Sequence, residues 1–431
     1  MGPRVWDALY LFAFVTAGPI YWIWRALVLR RPLAPVRARL RGPEPLSTPH
    51  RSLWIHGVSV GEILAARRLV EELEKANPLH EIVLSVGTRA GFDMARARYP
   101  ECRVIFAPFD FTWTLRRFFR ALRPRALILL ELELWPNWLR MAAAAEVPVV
   151  VASAKMSATS VARYRKLAAW APGMLEAVAA FGAQSEVHAA RLRELGVGSE
   201  RVVVTGNLKV DNLPVAPSRA AAEGLREELA LGDSPVFLAG STHPKEEEIV
   251  LRAWKGLRER FPHLRLILAP RHVDRAEEIR TLVEKEGVTA RLRSREGPED
   301  ASETVLVVDT MGELMDFFAV ADVVFLGGSL VPVGGHNLLE PASQGRPVLF
   351  GPHVESMADV AQELIDEKAG WSVTGSVDII RTASDLFSDP GLRAHAETAA
   401  REVVNRRRGA TRKTMELLQD ILPEPQGATH V

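Results

Sequence analysis

The feature that most constrains the fold of this chain is an alternation of short apolar runs with segments of helical periodicity, from Leu53 onward. Strands that alternate with helices predict parallel sheets with helices on both faces, which is the α/β class. The predicted strands are Leu53–Val58, Glu81–Val86, Arg103–Phe106, Ala126–Leu130, Val147–Ala152 and Arg201–Val204 in the first half, and Val236–Ala239, Leu264–Leu268, Val305–Val308, Val323–Leu326 and Val348–Phe350 in the second. The predicted helices include Glu62–Ala76, Thr114–Leu122, Glu246–Phe261 and Asp274–Glu286.

The length of 431 residues predicts two or three domains, at about 150 residues per domain. The segment Asn212–Gly224 holds two prolines among small residues and indicates a linker. Ligands bind outside the carboxyl ends of parallel strands, so a cleft between the two halves is the expected site. The predicted divisions are an N-terminal segment 1–31, a first α/β domain 45–211, the linker 212–224, a second α/β domain 225–395, C-terminal helices 396–422 and a disordered tail 423–431.

The N-terminal segment has the pattern of a membrane anchor. Ala8–Trp24 is an uncharged run of 17 residues, close to the shortest length that spans a bilayer. The arginines that follow predict that the downstream chain is cytoplasmic; they are Arg25, Arg30, Arg31, Arg37, Arg39 and Arg41. A cleaved signal peptide is the competing interpretation, but it requires its charge before the apolar run and a small-residue cleavage site after it. We therefore favour an uncleaved anchor that either spans the membrane or lies in its interface.

Charge and cysteine content exclude several classes of protein. The 54 Lys and Arg residues balance 53 Asp and Glu residues, which argues against bulk nucleic-acid binding. The single cysteine, Cys102, cannot form an internal disulfide or a multi-cysteine zinc site. The histidines are scattered without the spacing of metal ligands, so no metal site is expected. His243, His272 and His336 are instead candidates for contact with a phosphate.

The motif HGVSVGE, residues His56–Glu62, places a carboxylate at the start of a helix directly after a strand. Ser59 and Glu62 have the spacing of a capping box, in which both side chains bind free N–H groups at the helix start. The same carboxylate lies at the carboxyl end of a strand, where it can accept a proton from a substrate hydroxyl. The motif alone leaves both interpretations open.

Two further motifs place charged side chains after predicted strands. In LELELWPNWL, Leu130–Leu139, the carboxylates of Glu131 and Glu133 end a strand and are expected to share one of its faces. The alternative is an ordinary strand end followed by a helix with Pro136 near its first position. In the motif GNLKVD, Lys209 either contacts a phosphate or carboxylate or is simply solvated.

The second half contains loops suited to a phosphate. GSTHPKEEE (Gly240–Glu248) and APRHVDR (Ala269–Arg275) each follow a strand and lead into a helix. Free N–H groups and the dipole at such helix starts attract phosphate, and Arg271 and His272 add charge-assisted bonds. Neither a G-x-x-x-x-G-K-[ST] motif nor a strand-to-helix G-x-G-x-x-G motif occurs. This argues against a P-loop ATPase and against a dinucleotide-dependent dehydrogenase.

A glycine-rich run gives the most specific indication of a nucleotide site. It is LGGSLVPVGGHNLLEPASQGRPVLFGP, Leu326–Pro352, and DTMGEL at Asp309–Leu314 precedes it. Its glycines permit the backbone to approach a ligand closely. Asn337 is placed at a helix start that would face a phosphate, and Glu340 lies one turn later, where its carboxylate can bind ribose hydroxyls.

In their order along the chain, these motifs resemble those of the Kdo (3-deoxy-D-manno-octulosonic acid) transferases of lipopolysaccharide assembly. The matching stretches are HGVSVGE, ELELWPN, GNLKVD, GSTHPKEE, PRH, TMGEL and GGHNLLEPA. The resemblance implies a GT-B fold of two Rossmann-like domains, of which the first binds the acceptor and the second binds CMP-Kdo. It implies inverting, metal-independent transfer of Kdo from CMP-Kdo to a tetraacylated lipid A precursor, lipid IVA, without a cofactor. The expected location is the cytoplasmic face of the cell inner membrane, in contact with its lipids and not with nucleic acid.

The resemblance also implies roles for individual residues. Glu62 matches the family's proton acceptor. One of Glu131 and Glu133, with Glu131 preferred, and also Lys209 match its transition-state stabilisers. The residues that match its CMP-binding segments are Pro270, Arg271, Met311, Gly312, Glu313, Asn337, Leu338, Leu339 and Glu340. The alternatives are another GT-B glycosyltransferase with a different nucleotide sugar, and a catalytically inactive membrane-anchored protein that binds a nucleotide.

A second membrane contact is one interpretation of FTWTLRRFFRALRPRA, Phe111–Ala126. Apolar residues fall there at helical spacing and arginines flank them; they are Leu115, Phe118, Phe119 and Leu122. Such a helix either docks on anionic lipid or on lipid A phosphates, or packs its apolar face on the sheet and leaves the arginines in water.

Overall fold

The computed structural model describes residues 36–170, 173–214, 219–295 and 304–422, together with Asp7, Ala8, Phe12 and Thr16 nearer the N-terminus. Its contacts divide the chain into two compact units. Unit 1 comprises Met1–Asn212 and Arg408–Val431, and unit 2 comprises Leu213–Arg407.

Unit 1 contains a parallel sheet of seven strands among its described residues. The strands are β1 Ser52–Gly57, β2 Ile82–Val86, β3 Arg103–Phe106, β4 Pro124–Leu130, β5 Val149–Ala154, β6 Ala180–Ala183 and β7 Val202–Val204. They lie in the order β3-β2-β1-β4-β5-β6-β7. The helices are α1 Val36–Arg41, α2 Val60–Ala65, α3 Arg67–Ala76, α4 Arg89–Arg98, α5 Thr112–Leu122, α6 Pro136–Ala144, α7 Ala158–Trp170, α8 Glu186–Glu194 and α9 Leu208–Asp211.

The core of unit 1 follows from its uninterrupted apolar strands. Strand β1 is buried along its whole length, because a parallel sheet is covered on both faces. Trp54 packs on one face with Leu127, and Ile55 packs on the other with Ile128. Burying one such side chain contributes about 1.5–3 kcal/mol, so these strands fix the sheet that carries the loops of the site.

Unit 2 contains a second parallel sheet of seven strands, counted over its described residues. The strands are β8 Val236–Thr242, β9 Arg265–Pro270, β10 Thr289–Leu292, β11 Thr304–Val307, β12 Val323–Leu326, β13 Val348–Phe350 and β14 Gly370–Ser372, in the order β10-β11-β9-β8-β12-β13-β14. The helices are α10 Arg219–Glu228, α11 Glu246–Arg258, α12 Ala276–Lys285, α13 Leu314–Val320, α14 Leu339–Ser343, α15 Ala358–Asp366, α16 Ser376–Ser388 and α17 Pro390–Arg406, and α18 Ala410–Ile421 follows in unit 1.

Each sheet reverses its strand order beside its first strand. In unit 1 the reversal falls between β1 and β4, and in unit 2 it falls between β8 and β12. The loops that leave two adjacent strands at such a reversal diverge to opposite faces, and the crevice between them is where doubly wound sheets bind ligands. The sequence prediction of two parallel α/β sheets is confirmed. The crevices at the two reversals are where a ligand site is expected.

The C-terminal helices divide between the two units. Helix α17 ends at Arg406 in unit 2, and α18 begins at Ala410 in unit 1. The carboxylate of Asp211 accepts the backbone N–H groups of Gly409 and Thr411 at 2.8 and 2.6 Å. This capping contact attaches α18 to unit 1, whereas the sequence prediction places the C-terminal helices of residues 396–422 together.

Of the two interpretations of α5, the structure supports packing on the sheet and contradicts a lipid contact through its apolar face. Its apolar side chains are buried and packed against the sheet; they are Leu115, Phe118, Phe119 and Leu122. The ring of Phe118 stacks on that of Trp54, with centroids 6.2 Å apart. The arginines Arg116, Arg117 and Arg120 stay exposed on the other face. The amphipathic pattern therefore reflects packing on the sheet.

The predicted N-terminal anchor lies almost entirely outside the described residues, as do the tail 423–431 and residues 215–218 of the predicted linker. Within the part of the chain that the structure describes, no helix combines the length and the apolar character needed to cross a membrane. The anchor therefore stays a prediction. Of the predicted linker, the described residues from Arg219 onward belong to helix α10.

Candidate active site

Glu62 lies in the first turn of α2, directly after β1 at the reversal of the unit 1 sheet. Its Oε2 accepts the Val58 N–H at 2.7 Å, and its Oε1 accepts the Ser59 hydroxyl at 2.7 Å. Ser59 Oγ accepts the Glu62 N–H in return, at 3.2 Å. The capping interaction expected from the sequence is confirmed, and it fixes the orientation of the carboxylate.

The capping role of Glu62 leaves room for acid–base chemistry. Each carboxylate oxygen can accept about two hydrogen bonds. Each oxygen of Glu62 accepts one hydrogen bond from its own loop, so one acceptor position remains on each. The residue is 9% exposed. A hydroxyl that reaches the carboxylate would therefore meet a base whose orientation is already set, and the role of proton acceptor stays a prediction.

Glu131 and Lys209 form an ion pair at the same edge of the sheet. Lys209 Nζ lies 3.1 Å from Glu131 Oε1. Glu131 directly follows β4, and Lys209 lies in α9 just beyond β7. Glu131 adopts a left-handed backbone conformation, with φ of 57°, which is strained for a residue with a side chain and is frequent at functional sites.

Glu133 lies within electrostatic reach of both other carboxylates. Burial raises the pKa of Glu133, the negative charges of Glu62 and Glu131 raise it further, and a hydrogen bond from Trp135 opposes them. Strand β4 ends at Leu130, so the expectation that the two acids share a strand face is wrong, because both lie in the following loop. The four side chains Glu62, Glu131, Glu133 and Lys209, which we call the acid edge, are nevertheless brought together by the fold.

In unit 2, the residues matched to CMP-binding segments gather in part. Asn337 Nδ2 donates to Glu340 Oε1 at 3.1 Å. The exposed Arg271 lies close enough for its positive charge to lower the pKa of Glu340. Burial raises the pKa of Glu340, and the Asn337 bond and Arg271 oppose that rise. Pro270 ends β9 directly before Arg271. Leu338 and Leu339, in the same segment as Asn337 and Glu340, are buried.

The TMGEL segment, Thr310–Leu314, has its contacts with residues other than Arg271, Asn337 and Glu340. Glu313 accepts a hydrogen bond from Arg293 at 2.9 Å and another from the Thr310 hydroxyl. Met311 is 84% exposed, and Gly312 has a positive φ of 94°. The assignment of Met311, Gly312 and Glu313 to CMP binding therefore stays a prediction, carried by the resemblance and by their position beyond β11.

Three histidines of unit 2 come together at the reversal of its sheet. The Nε2 atoms of His243 and His336 are 2.9 Å apart, and the ring of His272 lies edge-on to that of His243. Burial lowers the pKa of His336 to about 4, with neighbouring positive groups adding to the effect. Burial lowers the pKa of His243 as well, so both rings are neutral at pH 7, and one Nε2 donates to the other. Over the described residues, no group of three or more His, Cys, Asp or Glu side chains is arranged to hold a metal ion.

Glu246 is a residue of this region that the sequence analysis missed. Its carboxylate is fully buried and accepts backbone N–H groups from two loops, those of His243, Gly328, Ser329 and Leu330. The sequence offers only a glutamate in the first turn of a helix, a position that usually favours any carboxylate. The long-range partners lie 82 to 84 residues away, and no local pattern reveals them.

Comparisons with solved structures define the class of fold. A glycosyltransferase from Rickettsia africae covers 87% of this chain and all of its own, with a TM-score of 0.60 at 13% identity. The UDP-GlcNAc 2-epimerase of Neisseria meningitidis covers 86% of this chain and all of its own, with a TM-score of 0.61 at 15% identity. At these identities the likeness concerns the fold alone, which is the two-sheet α/β type of GT-B proteins.

Comparisons of sequence define the family. The family profile described as 3-deoxy-D-manno-octulosonic-acid transferase (kdotransferase) matches residues 34–212. The 3-deoxy-D-manno-octulosonic acid transferase of Haemophilus influenzae is 32% identical over 87% of this chain and 88% of its own length. The protein of that name from Bordetella pertussis is 33% identical over 96% of this chain and 99% of its own length. This chain belongs to the 3-deoxy-D-manno-octulosonic acid transferase family, a family of glycosyltransferases, and the resemblance drawn from the motifs is confirmed.

Proposed function

We propose that this chain transfers Kdo from CMP-Kdo to a lipid A precursor, lipid IVA, in lipopolysaccharide biosynthesis. The observation that carries the proposal is similarity over nearly the whole length to relatives named 3-deoxy-D-manno-octulosonic acid transferase. The acid edge of unit 1 and the polar group around Arg271 in unit 2 supply the two kinds of chemistry that such a transfer requires.

The acid edge supplies the acceptor chemistry. Glu62 removes the proton from the attacking hydroxyl of the acceptor, and a correctly placed general base contributes about 10²–10⁴-fold to the rate. A single base is sufficient when the hydroxyl attacks opposite the leaving group, so the transfer inverts the anomeric configuration. Lys209, held by Glu131 at 3.1 Å, places a positive charge near the reacting atoms, where it stabilises negative charge that develops in the transition state.

Unit 2 supplies the groups for CMP. The phosphate of CMP leaves as a monoester, and the exposed guanidinium of Arg271 is suited to bind it through charge-assisted hydrogen bonds. Glu340 and Asn337, 3.1 Å apart, offer an acceptor and a donor for ribose hydroxyls. The neutral ring of His336, whose pKa is about 4, can accept or donate a hydrogen bond at neutral pH.

The proposed location is the cytoplasmic face of the inner membrane. It is supported by the uncharged run Ala8–Trp24 and the arginines that follow it, because basic residues beside an apolar segment stay in the cytoplasm. The test is fractionation of cells that express the full chain and a chain lacking residues 1–31. Recovery of the full chain in the soluble fraction would contradict this location.

The activity is tested with the full chain purified in detergent, incubated with CMP-Kdo and lipid IVA, and with products identified by mass spectrometry. The expected product carries added Kdo, and Glu62→Gln is expected to form little of it. Glu72→Gln is the matched control, because Glu72 is an exposed carboxylate of unit 1 that pairs with the exposed Lys75 at 2.8 Å. Thermal shift with CMP and with UDP separates the donor classes: stabilisation by UDP alone would indicate another nucleotide sugar, and absence of product with nucleotide binding retained would indicate an inactive protein.

A further inference from the structure

The carboxylate of Glu246 is enclosed by backbone N–H groups. Its Oε2 accepts those of His243 and Gly328 at 2.9 and 2.7 Å, and its Oε1 accepts those of Ser329 and Leu330 at 3.0 and 2.9 Å. The residue is 0% exposed. All four acceptor positions of the carboxylate are thus used, and four backbone donors, two of them in buried bonds, depend on one side chain.

These four donors come from two different loops. His243 follows β8, and Gly328–Leu330 follow β12, so the carboxylate joins the loops of the two adjacent strands at the reversal of the unit 2 sheet. The backbone approaches it closely: a Cβ atom at Gly327 would lie 2.7 Å from Glu246 Oε2 and 2.6 Å from the Ser241 carbonyl oxygen. Glycine is required there because no side chain fits.

Successive N–H groups that converge in this way normally form an anion-binding nest for a phosphate. Here a carboxylate of the protein itself fills the nest. The glycine-rich turn predicted by the sequence to approach a ligand therefore encloses Glu246. Bonds from N–H groups to an ionised acceptor are stronger than neutral ones, and more so where water is excluded, so the turn is held in one conformation.

The glycine-rich turn held by Glu246 is hydrogen-bonded in turn to the segment proposed to bind CMP. Gly335 donates its N–H to the Gly328 carbonyl oxygen at 2.8 Å, immediately before His336 and Asn337. His243, whose own N–H binds Glu246, contacts the His336 ring at 2.9 Å. The start of the segment His336–Glu340 is therefore linked to the Glu246 carboxylate in two ways: through Gly335 and the Gly328 turn, and through the ring of His243.

We propose that Glu246 is a positioning residue of the CMP site: by binding both loops it holds His243 and the His336–Glu340 segment in the arrangement that receives the nucleotide. This proposal rests on the proposed function for the identity of the ligand. It does not require Glu246 to touch CMP, and it assigns the glycine-rich turn a supporting role.

The test compares Glu246→Gln with Glu247→Gln in the full-length protein. A glutamine at 246 turns an NH₂ group toward two N–H donors, so two of the four bonds are replaced by repulsion. Glu247 is the matched control, because it is the next residue of α11, is 1% exposed and contacts Arg275 at 2.8 Å. By calorimetry, Glu246→Gln is expected to weaken CMP binding at least about tenfold and Glu247→Gln by no more than about twofold, although both lose a buried carboxylate and both melt at lower temperature.

A second measurement follows the loops without any ligand. Amide hydrogen exchange of Gly328, Ser329 and Leu330 is expected to accelerate at least about tenfold in Glu246→Gln and to stay near the wild-type rate in Glu247→Gln. If Glu246→Gln does not fold, Glu246→Asp is measured instead, because it keeps the anion but shortens its reach. In the transfer assay, the KM for CMP-Kdo should rise while kcat changes little.

The outcomes separate this proposal from the proposed function. Equal loss of CMP affinity in the two variants, or unchanged exchange at the three amides in Glu246→Gln, overturns the positioning role and leaves the transferase proposal intact. A wild-type protein that does not bind CMP contradicts the proposed donor instead, and accelerated exchange in Glu246→Gln would then still show that the carboxylate holds the loops.

Discussion

The ammonium group of Lys209 lies 3.1 Å from the carboxylate of Glu131, although the two residues are 78 positions apart in the chain. The contact joins the loop after β4 to the helix after β7, across the ends of β5 and β6. Both side chains are partly exposed, so the pair contributes little to folding, about 0–1 kcal/mol. Its position near Glu62 and Glu133 supports the proposal that the pair takes part in the reaction.

The Glu131–Lys209 pair is expected to matter for activity and hardly for stability. Lys209→Met and Glu131→Gln should each lower kcat at least about tenfold, since each removes or misplaces a charge that we propose stabilises the transition state, while each melting temperature stays close to that of the wild type. The control is Lys75→Met, which breaks the exposed Lys75–Glu72 pair at 2.8 Å in the same unit. A kcat that falls equally in Lys75→Met would refute the assignment.

The proposed role of Glu62 as a base and its role in capping α2 can be separated by comparing Glu62→Gln with Ser59→Ala. Glu62→Gln keeps a side chain that can cap α2 but is not a base, so kcat should fall by about 10²–10⁴-fold with little loss of stability. Ser59→Ala removes the cap that accepts the Glu62 N–H and should cost about 1 kcal/mol of stability, with a much smaller effect on kcat. Transfer rates and thermal melts measure both; the reverse pattern would show that Glu62 is only a capping residue.

Acid pH should destabilise unit 1 through His56. Burial lowers the pKa of His56 from 6.5 to about 4, a hydrogen bond with Ser85 opposes this, and Arg39 adds to it. The unfolded chain therefore binds the proton more readily than the folded one, so the stabilisation is fully present above about pH 6.5 and is lost as the pH falls toward about 4. The effect is of the order of 3 kcal/mol. Thermal melts at pH 7.5 and 4.5 should show a smaller drop for His56→Gln than for the wild type; equal drops would argue against this pKa.

Two glycine substitutions in unit 2 should have opposite effects. Gly327→Ala places a Cβ atom 2.6 Å from backbone atoms of Ser241 and Thr242, so it should destabilise the fold and weaken CMP binding through the Glu246 contacts. Gly224→Ala lies in helix α10, where a Cβ atom meets nothing within 4 Å, and should stabilise the helix by about 0.5–1 kcal/mol. Melting curves and CMP titrations test both. A Gly327→Ala protein that melts like the wild type would contradict the close approach.

The strands that the sequence predicted and those that it missed differ in composition. The apolar runs of β1, β4, β8 and β12 are long enough to identify, because strands buried on both faces need nearly continuous apolar residues. The missed strands are β6 (AFGA), β10 (TARL) and β14 (GWS). Alanine and glycine have low strand propensity, and β10 and β14 are edge strands with exposed positions, so neither periodicity nor composition distinguishes them from loops.

The candidate site was predictable where its residues follow strands, and less so where it depends on long-range contacts. Glu62, Lys209 and Arg271 could be singled out from the sequence because each lies close after an apolar run, and the roles predicted for them come from the resemblance to the Kdo transferases. The conformation of Glu131 beyond the end of β4, and its pairing with Lys209, depend on the order of four strands in the sheet. Glu246 was missed for the same reason, since its partners come from another loop.

The attachment of α18 to Asp211 has a consequence for biosynthesis. Ala410, Leu417 and Leu418 complete a core that also contains Leu53 and Ile55 near the other end of the chain. The ribosome releases these late residues only after all of unit 2 has been translated. A nascent chain, or a product truncated after Arg407, would therefore leave the apolar surface that α18 covers exposed on unit 1. Chaperones and proteases that recognise exposed apolar surface would act there first.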